Sequence, residues 1–201
     1  KHFPGHGDTN EDSHVTLPVC HRSEEELLAV EMAPYRQLLE MEAPLDMVML
    51  SHVLYPALDP KLPASLSSKI IREFLRAEIG FRGVTISDDL EMAALTDNYS
   101  FSEITNLGFE AGLDLFLVCH SIDRQVEVLE TLLKIAERDL VPKMVWDTPL
   151  DRILSLKRRY IGQRHKSELL VDREHARELI GAREHQRISR RLRDELNKLR
   201  L

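Results

Sequence analysis

The chain has 201 residues, a formal net charge of −7, 43% hydrophobic residues and 30% charged ones. That length suits one globular domain, with or without an appendage, and the recurring Leu, Ile and Val blocks exclude a disordered or low-complexity chain. No apolar run approaches the roughly 18–20 residues of a membrane-spanning helix, two cysteines cannot build a disulfide scaffold, and the acidic balance argues against a nucleic-acid partner.

Residues 1–22 are rich in Pro, Gly, His and Asp and read as loop. Ser23 with Glu26 forms a capping box, after which Leu27, Tyr35, Leu38 and Leu39 recur at helical spacing; Pro34 is expected to kink or split that helix. Residues 46–50 are a short apolar run of the kind a strand covered on both faces shows. A second helix is predicted over 67–80, burying Ile70, Ile71, Phe74, Leu75 and Ile79 and stopping at Gly80. Residues 83–87 make a second strand that runs directly into Asp88 and Asp89. A helix over 101–111 stops at Gly112, and 113–119 make a third strand. Helices are expected over 122–138 and 148–161, the latter capped by Thr148 with Pro149 at its first position. Strands alternating with helices predict a parallel α/β sheet.

From residue 163 onward the character changes. Eleven basic and seven acidic residues give this stretch a net charge of +4, which leaves −11 for residues 1–162. Ile188, Leu192, Leu196 and Leu199 share one face of an expected amphipathic helix that packs on the main domain or on a partner. Interleaved acids weigh against nucleic-acid or membrane binding by this tail.

In parallel α/β folds the working residues gather where strands end and lead into helices. Asp88 and Asp89 meet that condition: one can cap the next helix while the other faces a ligand. The loop 5–14 carries His6, Asp8, Asp12 and His14. Its plain reading is a solvated loop, but Asp12 and His14, two residues apart in extended chain, can also pair as a carboxylate and the imidazole it orients. Such a pair can protonate a leaving group and later deprotonate water. Zinc binding by His2, His6 and His14 is a rival without a supporting Cys or helical His pair. Lys1 and His2 sit beside a tight turn where they can hydrogen-bond sugar hydroxyls or an anion. Ser51 and His52, after the first strand, are better read as structural than as catalytic.

The segments Lys1-His-Phe-Pro-Gly-His-Gly-Asp, Asp12-Ser-His14, Pro63-Ala-Ser-Leu-Ser, Leu75-Arg-Ala-Glu-Ile-Gly-Phe-Arg-Gly and Ser87-Asp-Asp-Leu-Glu-Met92 occur in this order. Together they resemble the family 3 glycoside hydrolases, specifically the bacterial β-N-acetylglucosaminidase branch, over about residues 1–160. The resemblance implies a (β/α)8 TIM-type barrel and hydrolysis with retention through a covalent glycosyl-enzyme. It implies that Asp88 is the nucleophile, that His14 paired with Asp12 is the acid/base, and that Lys1 and His2 bind the non-reducing N-acetylglucosamine. No cofactor or metal is implied, and the expected partner is a carbohydrate, with peptidoglycan-derived fragments as its suggested source.

A complete barrel of this type needs about 250 residues and eight strands. The chain is therefore expected to be the C-terminal part of one, about strands 6–8 with their helices over residues 1–162, followed by a helical tail over 163–201. As such it should lack useful turnover alone. A β-glucosidase or phosphorylase activity on the same framework, or a non-catalytic carbohydrate-binding relic, stay as alternatives. Residue 1 is Lys rather than Met, so a signal peptide cannot be judged; a cytoplasmic location is expected, secretion is left open, and so is the oligomeric state.

Overall fold

Each of the three apolar runs becomes a strand: β1 is Met47–Leu50, β2 is Val84–Asp89 and β3 is Leu115–Leu117, all parallel and adjacent in that order. The computed structural model describes every residue other than 8, 10–12, 14, 42–44, 138–142, 163–171 and 200–201, and only the backbone of 143–147, 196, 197 and 199. β1 and β2 are in register from Met47↔Val84 to Leu50↔Ser87, whereas the β2–β3 ladder is irregular between Ile86↔Leu115 and Asp89↔Leu117.

The sheet continues by one residue beyond β1. Phe3 bridges Leu50 in parallel, its N–H donating to Met49 O at 2.7 Å and its carbonyl accepting from Ser51 N–H at 3.0 Å. Val19 likewise bridges Leu54. The loop expected over residues 1–22 is thus pinned at two points, because the apolar Phe3 gains more from full burial against β1 than from exposure.

Between Phe3 and β1 the chain crosses over through helical turns. Ser23 accepts from Glu26 N–H and Glu26 returns the bond to Ser23 N–H, the expected box, at the head of α1 (Glu24–Glu26). A wider i→i+5 turn, Leu27–Glu31, follows, and α2 (Ala33–Glu40) starts with Pro34 in its first turn, where a missing N–H costs no bond. The helix is split where the proline predicts.

The second crossover, Lys69–Glu78, is wound entirely with i→i+5 bonds, ending with Ile79 N–H on Phe74 O at 2.9 Å. Its apolar pattern explains the winding. At about 3.6 residues per turn an α-helix would turn Ile79 to the side opposite Ile70. The wider turn brings Ile79 back beside Ile70, Ile71, Phe74 and Leu75, and all five are buried. Each such burial contributes about 2 kcal/mol. Gly80 then takes φ +84°, the left-handed stop that a side chain resists.

After β2 come α3 (Ala93–Thr96) and α4 (Phe101–Ala111), the latter opened by a Ser100–Glu103 capping box and closed by Gly112 at φ +103°. β3 leads to α5 (Ile122–Ala136), which buries Val128, Thr131 and Ile135 and leaves Ile122, Val126, Leu129 and Leu133 exposed along another face. α6 spans Lys143–Tyr160 with Pro149 inside it. This corrects the expected start at Thr148. A proline this near a helix start removes one i→i−4 bond, a loss the flanking turns can carry.

At the N-terminal end of the strands, Asp114 is fully buried and saturated. It accepts from Arg76 (3.0 Å), from Arg152 of α6 (2.5 and 3.0 Å), and from Thr85 N–H (2.9 Å). Two apolar clusters, one under β1 and Lys69–Glu78 and one around Leu90, Leu95, Phe101 and Ile104, both touch Phe116 of β3.

The chain divides into two compact units, Lys1–Lys157 and Arg158–Leu201. The second contains α7 (Arg173–Leu179), capped by Asp172, and α8 (Arg183–Leu199), on which Ile188 and Leu192 are exposed. Among the described residues no helix is long and apolar enough to cross a membrane.

Candidate active site

The C-terminal end of β2 carries two adjacent carboxylates, and the pleat sends them to different work. Asp89 faces β3. Its Oδ1 accepts from Glu91 N–H (3.2 Å) and Cys119 N–H (3.3 Å), and its Oδ2 lies 3.4 Å from His120 Nε2. Neither acid caps α3, whose preceding residue Met92 offers no side-chain bond. The expectation that one would do so is corrected: a turn over 89–92 separates strand from helix, so the carboxylates lie too early to cap it.

Asp88 faces the other way. Its Oδ1 accepts from Asp89 N–H at 2.9 Å, and its Oδ2 lies 3.3 Å from His2 Nε2. A carboxylate only accepts, so Nε2 carries the proton of this contact when His2 is neutral. Burial pushes the His2 pKa below its ordinary value; Asp88 offsets part of that, while Lys1 and His6 add to it. Asp88 thus faces a hydrogen-bond donor more than a full counter-charge near neutral pH.

His2 reaches Asp88 because Phe3, the next residue, is locked into the sheet. Lys1 lies exposed beside it. Both line a cleft of about 380 Å³ together with His6, Glu31, Tyr35 and Leu38, a wall that does not include Asp88. His6 stacks edge-on against His2 at 5.6 Å and holds Ser13 through Nε2 at 3.0 Å. Ser13 is buried, and its carbonyl accepts from Ala94 N–H at 3.3 Å, tying it to the segment that follows Asp88. Asp12 and His14, which flank Ser13, lie outside the described residues.

One set of contacts was not legible at the outset. His52 is fully buried, with Nε2 3.0 Å from Asp89 O and Nδ1 2.8 Å from Ser65 Oγ. A carbonyl accepts only, so Nε2 is protonated and Nδ1 accepts the Ser65 proton. Burial holds its pKa down at about 4. The one signal in the sequence was the Pro63-Ala-Ser-Leu-Ser segment, whose Ser65 is the partner. Among the described residues no group of three or more His, Cys, Asp or Glu side chains could hold a metal ion.

Residues 1–156 match the sequence family described as glycosyl hydrolase family 3 N terminal domain. The chain belongs to glycosyl hydrolase family 3. This family 3 chain is 44% identical over 123 residues to a beta-hexosaminidase of Neisseria gonorrhoeae, an alignment covering 61% of the chain and 33% of that protein. It is similar in structure to a family 3 beta-N-acetylglucosaminidase from Paenibacillus sp. str. FPU-7, with a TM-score of 0.75 and 44% identity over 79% of this chain and 30% of that one. A beta-N-acetylglucosaminidase from Thermotoga maritima gives a TM-score of 0.70 and 38% identity over 78% and 33% of the two chains. The family 3 chain therefore spans about a third of the length of these relatives.

Proposed function

We propose that this family 3 chain carries the catalytic residues of a retaining glycosidase that releases terminal N-acetyl-β-D-glucosamine, with peptidoglycan-derived fragments as the expected source. The observation that carries this reading is Asp88: a carboxylate at the C-terminal end of the central strand, its Oδ2 3.3 Å from His2, while its neighbour Asp89 is committed to β3 and its turn. The names of the relatives supply the sugar.

In this reading Asp88 attacks the anomeric carbon, forming the glycosyl–aspartate ester as the bond to the aglycone oxygen breaks with its electron pair. His14, protonated at first, gives that oxygen its proton; then, neutral, it takes a proton from the water that cleaves the ester. Asp12 orients the imidazole and stabilises its charged form. Lys1 and His2 hold the sugar. A neutral His2 suits the nucleophile, because a hydrogen bond orients Asp88 while a full positive charge would draw off more of its electron density.

The working site is taken to need a larger barrel. Three strands among the described residues against the eight of a closed barrel, and the exposed apolar face of α5, both fit strands 6–8 of a longer enzyme. The test is turnover of a chromogenic N-acetylglucosaminide by the chain alone and after an N-terminal half from a relative is supplied. Activity that appears only with the added half supports the reading; full activity of the chain alone overturns the need for a larger barrel. No activity in either case, with both halves folded and bound together, overturns the glycosidase reading.

A further inference from the structure

The ladder between β1 and β2 stops at Leu50↔Ser87, one residue short of Asp88. Beyond that rung β2 turns to β3, pairing Asp89 with Leu117, and Leu90 N–H donates to Leu117 O at 2.9 Å. Among the described residues β1 therefore makes no backbone rung with Asp88 or Asp89. The two residues that follow β1 fill that gap with their side chains.

Ser51 points to one side. Its N–H (3.0 Å) and its hydroxyl (3.1 Å) both reach the carbonyl of Phe3, the residue after His2. The Tyr55 hydroxyl, 3.3 Å from Ser51 Oγ, donates to the carbonyl of Gly5, so this grip covers two residues of the His2 segment. His52 points to the other side, and its Nε2–H donates to the carbonyl of Asp89, the residue after Asp88. Ser65 braces both members: its N–H donates to Ser51 O at 3.0 Å and its hydroxyl fixes the His52 ring. Ser51, His52 and Ser65 are all fully buried, so water does not compete for these bonds.

We propose that Ser51 and His52 form a clasp that sets the gap between His2 and Asp88, acting as positioning residues for the attack on the sugar. This rests on the reading of Asp88 as nucleophile. A rim carboxylate whose strand is paired on the β3 side only can shift laterally, and a displacement of about 1 Å at the reacting atoms costs on the order of 100-fold in rate. The clasp removes that freedom without touching substrate.

The two amides close in size to imidazole separate its two bonds. In His52→Gln the terminal amide nitrogen reaches the place of Nε2 and keeps the donor to Asp89 O. In His52→Asn the shorter side chain keeps a partner for Ser65 only. Measured in the chain completed by an N-terminal half from a relative, H52N is expected to lower kcat about 100-fold with KM within about twofold, and H52Q to recover most of the loss. Ser65→Ala, a smaller change that frees the ring, is expected to give an intermediate loss at near-normal thermal stability.

A second measurement needs no turnover. Asp88 supports the His2 pKa against burial, so H52N, by letting Asp88 move, should lower the His2 titration midpoint measured by NMR on the chain itself. A folded H52N or S65A enzyme with kcat within about twofold of the parent, or an H52N chain whose His2 midpoint does not move, overturns the clasp. If instead Asp88→Ala leaves turnover intact, the nucleophile reading fails, and the His2 midpoint alone decides whether the clasp exists.

Discussion

Two aspartates at opposite ends of the same parallel sheet show how one residue type is put to two uses. Asp114, where β3 begins, has no exposed side-chain surface and is held by two arginines and Thr85. Asp88, where β2 ends, keeps 18% of its side chain exposed and, among the described residues, is hydrogen-bonded by the His2 imidazole and the Asp89 backbone N–H. The first is a charge fully matched within the fold, tying the crossover Lys69–Glu78 and α6 to the sheet. The second retains accepting capacity and access. In parallel α/β folds the strand beginnings serve stability and the strand endings serve chemistry, and the contrast between these two carboxylates is the one the proposed role of Asp88 requires.

The sharpest way to break the comparison is to remove each charge in turn. Asp88→Asn is expected to lower turnover of the completed enzyme by about four orders of magnitude while leaving the urea midpoint nearly unchanged, as turnover assays and unfolding curves would show. Asp114→Ala should do the reverse. It leaves Arg76 and Arg152 partly buried without their shared partner, a loss of about 3–5 kcal/mol of stability, with turnover per folded molecule retained. If D114A abolished catalysis in a fully folded protein, the division of labour would be wrong.

A smaller effect comes from pH. The unfolded chain takes up a proton at His52 near pH 6.5, while the folded chain resists until about pH 4, since burial outweighs the pull of Asp88, Asp89 and the Asp89 carbonyl. The unfolded state thus binds more protons in that window, and stability rises with pH across it. The contribution is whole above pH 6.5, drains as pH falls and is gone near 4; about 2.5 units at 1.36 kcal/mol each make it on the order of 3 kcal/mol. Urea unfolding of the chain between pH 4 and 7 should show this slope, and H52Q should lack it. Smallest is Ser100→Ala, which removes the α4 capping box at a cost of about 1 kcal/mol, read as a shift in urea midpoint with no effect at either aspartate.

What could be read in the sequence was what is local. The Ser23 box, the stops at Gly80 and Gly112 and the apolar runs of all three strands depend on neighbours a few residues away. The placement of Asp88 at a strand end followed from the same short-range pattern. The rest depended on partners far along the chain. Nothing near Phe3 says that it joins Leu50, nothing near Asp114 points to Arg152, and the roles of Asp88 and Asp89 separate only when β3 arrives to claim one of them. The i→i+5 winding of Lys69–Glu78 was written in the spacing of Ile70 and Ile79 but concealed by an ordinary helical repeat in between.

The most direct test is to find where the sugar becomes attached. A fluorinated N-acetylglucosaminide that forms the glycosyl-enzyme quickly and releases it slowly should be incubated with the completed enzyme, and the protein digested and mapped by mass spectrometry. The account predicts one sugar adduct, on Asp88, absent in Asp88→Asn. An adduct on Asp89 or another carboxylate, or steady turnover with no adduct at all, would contradict it.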